Sequence, residues 1–168
     1  MANDINLAKY VNILRSDRND IPNDVYSYMV KKVNEKLFIM INKSYEYSKL
    51  DFLNINRKFI KRGIMTIPYG VNIRGITNQL IDDHFQFEKF VERKKTFTLK
   101  ENIFNKKNVY FYLNNKEIYC LGKIIHDVLY DSFPSLKILV NYLKNMNKTL
   151  KILNLKTIWL SPGGLKKQ

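Results

Sequence analysis

The chain has 168 residues, enough for one domain or one part of a larger one, and its 45% apolar content supports a packed core and excludes a disordered chain. Lys and Arg outnumber Asp and Glu by 29 to 15, and the formal charge of +14 favours a polyanionic partner, nucleic acid above all. Cys120 is the single cysteine, which excludes a disulfide framework, and no apolar run approaches the ~20 residues that cross a bilayer.

Alanine occurs only at Ala2 and Ala8, while Lys, Asn, Ile, Tyr and Phe abound. That bias matches an AT-rich coding region, so codon usage supplies part of the charge. The N-terminus lacks a cationic segment leading into an apolar one, which sets it apart from a secretory signal. Asp4 and the absence of an early arginine also make it a poor mitochondrial presequence. A protein of this composition working in an organelle would be expected to be made there.

Elements follow in chain order. Residues 23–41 are predicted to form a helix, with Pro22 and Asn23 or Asp24 at its start and Val25, Met29, Val33 and Leu37 repeating at helical spacing. The polar stretch 42–48 reads as a loop. A second helix is predicted over 55–67, capped by Asn54 and stopped or kinked at Pro68, which lacks the N–H that a continuing helix needs.

A third helix is predicted over 77–91, with an acidic patch at Asp82 and Asp83. Beyond it, the basic and aromatic stretch 94–115 suggests short strands at Phe97–Leu99 and Val109–Leu113 around a turn at 105–108. Its aromatics suit either core packing or stacking against nucleic acid. Residues 118–130 read as a helix that ends before Pro134. The last long helix has the clearest period: Leu136, Leu139, Leu143, Met146, Leu150 and Leu153 form a seam with lysines off it. Fewer than about three heptads favour packing within the chain over a coiled coil. No repeat or linker interrupts the sequence, so residues 1–168 are read as one region.

The segment that carries chemistry is Arg57-Lys58-Phe59-Ile60-Lys61-Arg62-Gly63-Ile64-Met65-Thr66-Ile67-Pro68-Tyr69-Gly70. Arg57, Lys61, Met65 and Tyr69 are spaced by four, and each such step drifts only about 40° around a helix. Two cations followed by an aromatic on one stripe suit a nucleoside triphosphate, with Arg57 and Lys61 on the phosphates and Tyr69 near base and sugar. Arg62 points elsewhere, toward phosphate or template. By spacing alone, a solvated basic helix ending in a Pro-Tyr-Gly turn explains the same residues.

The segment closely resembles the motif B helix of single-subunit RNA polymerases of phages, mitochondria and linear mitochondrial plasmids. That pattern is Arg, three residues, Lys-Arg, two residues, Met-Thr, two residues, Tyr-Gly. Arg57, Lys61, Arg62, Met65, Thr66, Tyr69 and Gly70 fill all of it, and Gly75 and Asp83 fall where the pattern continues. Upstream, Asp24-Val25-Tyr26 and Lys31-Lys32-Val33-Asn34-Glu35 are similar to the family's Asp-Ile-Tyr and Lys-Lys-Val-Asn-Glu helix. Near the end, Trp159-Leu160-Ser161-Pro162-Gly163-Gly164 is similar to its Trp-x-Thr-Pro-x-Gly stretch, with Ser161 in place of threonine. The likeness is patchy over 88–121, and Asn12-Ile13-Leu14 looks most like the plasmid-type members. Family A DNA polymerases share the Arg, Lys and Tyr-Gly spacing. They typically carry a bulky aromatic four residues before the tyrosine, where this chain has Met65, and Arg62 also favours the RNA polymerase side.

The resemblance implies a mainly α (α+β) fold, the fingers part of a right-hand polymerase, with a small β element. It implies a DNA template, an RNA product and ribonucleoside triphosphates as partners, and a mitochondrial setting that is organelle- or plasmid-encoded. It assigns substrate binding to Arg57, Lys61, Arg62, Met65, Tyr69 and Gly70, with Lys61 catalytic at the reacting phosphates. It also implies Mg2+ for the complete enzyme, held by palm aspartates of motifs A and C that belong before and after these residues, and remaining polymerase domains as partners if the gene is split. His126-Asp127 and Asp131-Ser132-Phe133 look like motif C but stand ahead of Trp159 rather than behind it. A solvated helix face is their ordinary reading, and His84 reads as a surface residue. The other function class open to the sequence is a non-catalytic basic module that binds nucleic acid.

Overall fold

The computed structural model describes residues 4–14, 22–101, 105, 111–155, 159–160 and 166–167. Its elements grow from local signals that the sequence spells out. Helix α1, Ile5–Tyr10, is capped by the Asp4 carboxylate, which accepts from the Leu7 amide at 3.0 Å. Helix α2, Val25–Lys43, starts under the Asp24 carboxylate and buries Met29, Val33 and Leu37, the predicted stripe. Asn12, in the left-handed region at φ 58°, clasps the entry to α2. Its side chain donates to the Asn23 carbonyl at 2.7 Å and accepts from the Asn23 amide at 2.8 Å.

The stretch expected as a loop after α2 is instead a 3-10 helix, Tyr45–Phe52. Ser44 caps it, accepting from the Glu46 amide at 3.3 Å, and Leu50 anchors it in the core. Helix α3, Arg57–Thr66, is capped by Asn56, not Asn54: the Asn56 side chain accepts from the Phe59 amide at 3.1 Å. Its α-form ends at Thr66, and Ile67–Tyr69 tighten into a 3-10 turn around Pro68. Gly70 then closes the turn at φ 88°, a conformation that any side chain would strain.

The third predicted helix is displaced. Helix α4, Ile73–His84, begins four residues before Thr77 under an Asn72 cap and ends before Phe85. Residues 85–91, expected to continue it, form strand β1, Phe85–Val91, antiparallel to β2, Lys94–Leu99. β3, Leu113–Asn114, adds to the far edge of β2, giving the order β1-β2-β3. The register pairs Phe85 with Leu99 and Phe87 with Phe97, then shifts by a bulge at Glu88. The alternation of Phe85 and Phe87 across Gln86 satisfies a strand, and the ladder supplied by β2 outweighs the helical spacing that Leu80, Phe87 and Val91 also satisfy. Most of the predicted 105–108 turn lies outside the described residues, apart from Asn105, which bridges to Leu53.

Helix α5, Asn115–Ser132, opens with a full capping box between Asn114 and Glu117 and is the central helix, burying nine side chains or glycines. Gly122 lets it approach α4 closely. A Cβ there would lie 2.9 Å from Thr77 Oγ1 and 3.4 Å from the Ile73 carbonyl oxygen. Helix α6, Pro134–Ile152, buries only Leu136 and Val140. Leu143, Met146 and Leu153, expected to pack within the chain, are exposed, because no described element lies over the second half of the helix. Last come β4, Trp159–Leu160, and β5, Lys166–Lys167, paired antiparallel; Ser161 to Leu165 of the terminal motif lie outside the described residues.

One cluster of buried side chains links α2, the 3-10 helix, α3, α4, the sheet, α5 and the start of α6. The fold is therefore mainly helical with a small three-stranded antiparallel sheet. His84, expected at the surface, is part of this core. Its ring stacks on Phe59 at 4.3 Å between centroids and its Nε2 lies 3.0 Å from the Phe59 carbonyl oxygen. Burial disfavours the imidazolium and pushes the His84 pKa below 6.5.

Candidate functional site

Helix α3 divides cleanly by face. Phe59, Ile60, Gly63 and Ile64 are buried against the neighbouring helices, and Ile67 continues that face into the turn. Arg57, Lys61, Met65 and Tyr69 are all exposed, Met65 at 48% and Tyr69 at 89%. The spacing of four thus produces one outward stripe, as the sequence predicts, and Pro68 and Gly70 fix Tyr69 at its end. Arg62 leaves this stripe.

The three cations of the motif have different surroundings. Arg57 donates from Nε to Asp24 Oδ2 at 2.8 Å, and its guanidinium lies over the Tyr26 ring at 5.1 Å from the centroid. Arg62 pairs through Nη1 with the Asp83 carboxylate near the end of α4. Lys61, between them in sequence, has no acidic partner among the described residues.

Asp24 does two jobs at once. It caps α2, accepting from the Tyr26 amide at 3.1 Å and from Ser27 Oγ at 2.7 Å, while it holds Arg57. Partial burial alone would raise its carboxyl pKa, but hydrogen bonds from Ser27, Arg57 and the Tyr26 amide outweigh that and hold it below 3.8. Thr66 ties the end of α3 to α4, donating from Oγ1 to Gln79 Oε1 at 3.0 Å. A groove of about 370 Å³ runs beside the stripe, lined by Val25, Tyr26, Met65, Tyr69, Leu129 and Leu136 among others. Lys144 of α6 passes the turn, with Cε 3.6 Å from where a Cβ on Gly70 would stand. Gly70 thus shapes the turn and gives it clearance rather than presenting a functional group.

A family model described as DNA-dependent RNA polymerase matches residues 1–165. The chain belongs to the DNA-dependent RNA polymerase family. Three fungal proteins named probable DNA-directed RNA polymerase are similar to it across nearly all of its length. The one from Neurospora crassa is 36% identical over 98% of this chain, that from Agaricus bitorquis 34% over 95%, and that from a Gelasinospora species 30% over 96%. The chain spans 18%, 14% and 20% of those relatives, respectively.

Within this polymerase segment, tertiary packing adds residues that the sequence argument did not assign. Asp24 and Tyr26, read from the sequence as a helix start and part of a similar flank, hold Arg57, and Asp83 holds Arg62. Their signal in the sequence is charge opposite charge at positions far apart, which acquires meaning only once the helices pack. His126 and Asp127 pair with each other at 3.1 Å, and Asp131 lies 3.9 Å from Lys36. Among the described residues no three His, Cys, Asp or Glu side chains converge on a point that would hold a metal ion. The residues described here therefore do not fit a magnesium site.

Proposed function

We propose that the exposed face of α3 binds the incoming ribonucleoside triphosphate of a DNA-directed RNA polymerase, and that this chain is the fingers part of that enzyme. The observation that carries the reading is Lys61: an exposed cation on the same stripe as Arg57, Met65 and Tyr69, with no carboxylate partner among the described residues. Lys61 contacts the reacting phosphates, where negative charge develops during nucleotidyl transfer. Arg57 holds the phosphates from a position that Asp24 and Tyr26 restrain. Met65 and Tyr69 pack against the sugar and base, and Arg62, steadied by Asp83, faces the phosphate or template. The stripe converts binding energy into placement, which is most of what a protein contributes to phosphoryl transfer.

The DNA template, the RNA product and Mg2+ belong to the same proposal, with the metal held by residues other than those described here. So does a mitochondrial location, organelle- or plasmid-encoded, which the AT-rich composition supports. Among the described residues no helix is long and apolar enough to cross a membrane.

Titration of the purified chain with a ribonucleoside triphosphate, followed by methyl NMR, tests the site. The Met65 methyl is expected to shift while that of buried Met29 stays in place, and Lys61→Ala is expected to abolish the shift. A triphosphate that perturbs residues away from α3, or none, overturns the assignment.

A further inference from the structure

The β1–β2 hairpin carries an exposed aromatic and basic surface that the triphosphate site does not use. On one face, Phe85 and Phe97 are buried, and the row continues outward through Phe87 and Phe90, which are 52% and 62% exposed. Phe87 meets Phe97 edge-on at 6.4 Å and Phe90 at 5.3 Å, so the outer rings are braced from below and open above. Phe90 stands directly opposite Lys95 in the register, and Val91 opposite Lys94. Lys89, on the other face, lies over the Tyr112 ring at 4.8 Å.

The turn at the tip adds a second observation. Glu92 and Arg93 both have positive φ, 48° and 62°, the conformation that two-residue hairpin turns normally assign to Asn-Gly. A glycine there would remove the strain, and the chain instead places a carboxylate and a cation side by side at the tip. The base of the hairpin is fixed to the helices: the Lys100 amide donates to the His84 carbonyl at 2.9 Å, and the Lys100 ammonium donates to the Asp82 carbonyl. Between residues 85 and 100 there are five cations and two carboxylates, a local excess that opposes a like-charged protein face and complements phosphates.

We propose that this hairpin is a binding site for single-stranded nucleic acid, in which unpaired bases stack on Phe87 and Phe90 while Arg93, Lys94 and Lys95 follow the backbone phosphates. Stacking on a braced ring needs an open base face, which a paired duplex does not offer, and lysine-flanked aromatics bind strands with little sequence preference. The site is independent of the α3 stripe.

The test uses the purified chain and fluorescein-labelled dT20 and rU20 at low salt. Phe87→Ala/Phe90→Ala is expected to weaken binding by about tenfold or more with the melting temperature unchanged. Phe87→Leu/Phe90→Leu, which keeps the apolar bulk over Phe97, is expected to weaken it similarly. Lys94→Gln/Lys95→Gln is expected to flatten the salt dependence. Arg57→Ala/Lys61→Ala is expected to retain oligonucleotide binding, which separates this site from the triphosphate reading. Absence of binding by the unmodified chain, or full affinity in the folded phenylalanine variants, overturns the proposal. Oligonucleotide loss only in the α3 variant overturns it too. So does a chain whose self-association, rather than its affinity for oligonucleotide, depends on Phe87 and Phe90.

Discussion

The Arg57 side chain reaches from the first residue of α3 to the cap of α2, where its Nε donates to Asp24 Oδ2 at 2.8 Å. One carboxylate therefore sets both where α2 begins and where the guanidinium rests. The pair is solvent-accessible and contributes little to stability by itself. Its value is geometric: Arg57 is held by one nitrogen and keeps the other two for an anion.

Lys61→Ala is expected to damage polymerisation far more than Arg57→Lys, measured as steady-state turnover in a complete polymerase carrying this segment. Removing a contact to the reacting phosphates commonly costs about 2.7–4 kcal/mol, or roughly 10² to 10³ in rate. Lysine at position 57 keeps a cation within reach of Asp24, whereas alanine at 61 leaves no replacement charge. A Lys61→Ala enzyme with near-normal kcat removes Lys61 from the catalytic list.

Tyr69→Phe is expected to raise the use of deoxyribonucleotides relative to ribonucleotides while largely preserving the rate. Tyr69 is 89% exposed, so the loss of its hydroxyl leaves the fold intact. A site that hydrogen-bonds a substrate hydroxyl rejects analogues lacking it. A competition assay with paired substrates reads the ratio directly, and an unchanged ratio would count against the role.

Gly122→Ala is expected to destabilise the chain by about 1–3 kcal/mol, the range for overpacking a tight contact. The new methyl would lie 2.9 Å from Thr77 Oγ1, and Thr77 cannot retreat without weakening its bond to the Ile73 carbonyl at 2.8 Å. Chemical denaturation measures the change. Equal midpoints for the two proteins would show that α4 and α5 separate freely.

Acid is expected to lower the melting temperature as pH falls below 6.5, before carboxylates titrate. The folded state holds the His84 pKa below its unfolded value, so between the two the unfolded chain binds more protons. The contribution is complete above 6.5 and declines as pH drops toward the folded value. His84→Gln, which keeps a donor for the Phe59 carbonyl, is expected to remove this slope. An unchanged pH profile in that variant would assign the acid sensitivity to other groups.

The helices were legible because each carries its own evidence: Val25, Met29, Val33 and Leu37 mark the buried face of α2, and Arg57, Lys61, Met65 and Tyr69 mark the open face of α3. β1 was not, because Phe85 to Val91 satisfies helical and strand spacing alike, and only pairing with β2 decides between them. His84 looked like a surface residue since a polar side chain has no pattern that reveals the ring of Phe59 above it. The α6 seam showed an apolar face without showing what, if anything, covers it. The cations of the motif could be named from spacing together with the motif they fill, whereas Asp24 and Asp83 join them only through packing across 33 and 21 residues.

Helix α6 rests on the fold through Leu136 and Val140 and brushes the Tyr69–Gly70 turn at Lys144, and its remaining eight residues run about 12 Å further, mostly exposed among the described residues. Mechanically it is a lever with its fulcrum beside Tyr69. A tilt of about 10° about that point would carry its far end about 2 Å over that length. The exposed Met146, Ile152 and Leu153 therefore stand on an overhang whose nearest anchored point lies beside the Tyr69–Gly70 turn.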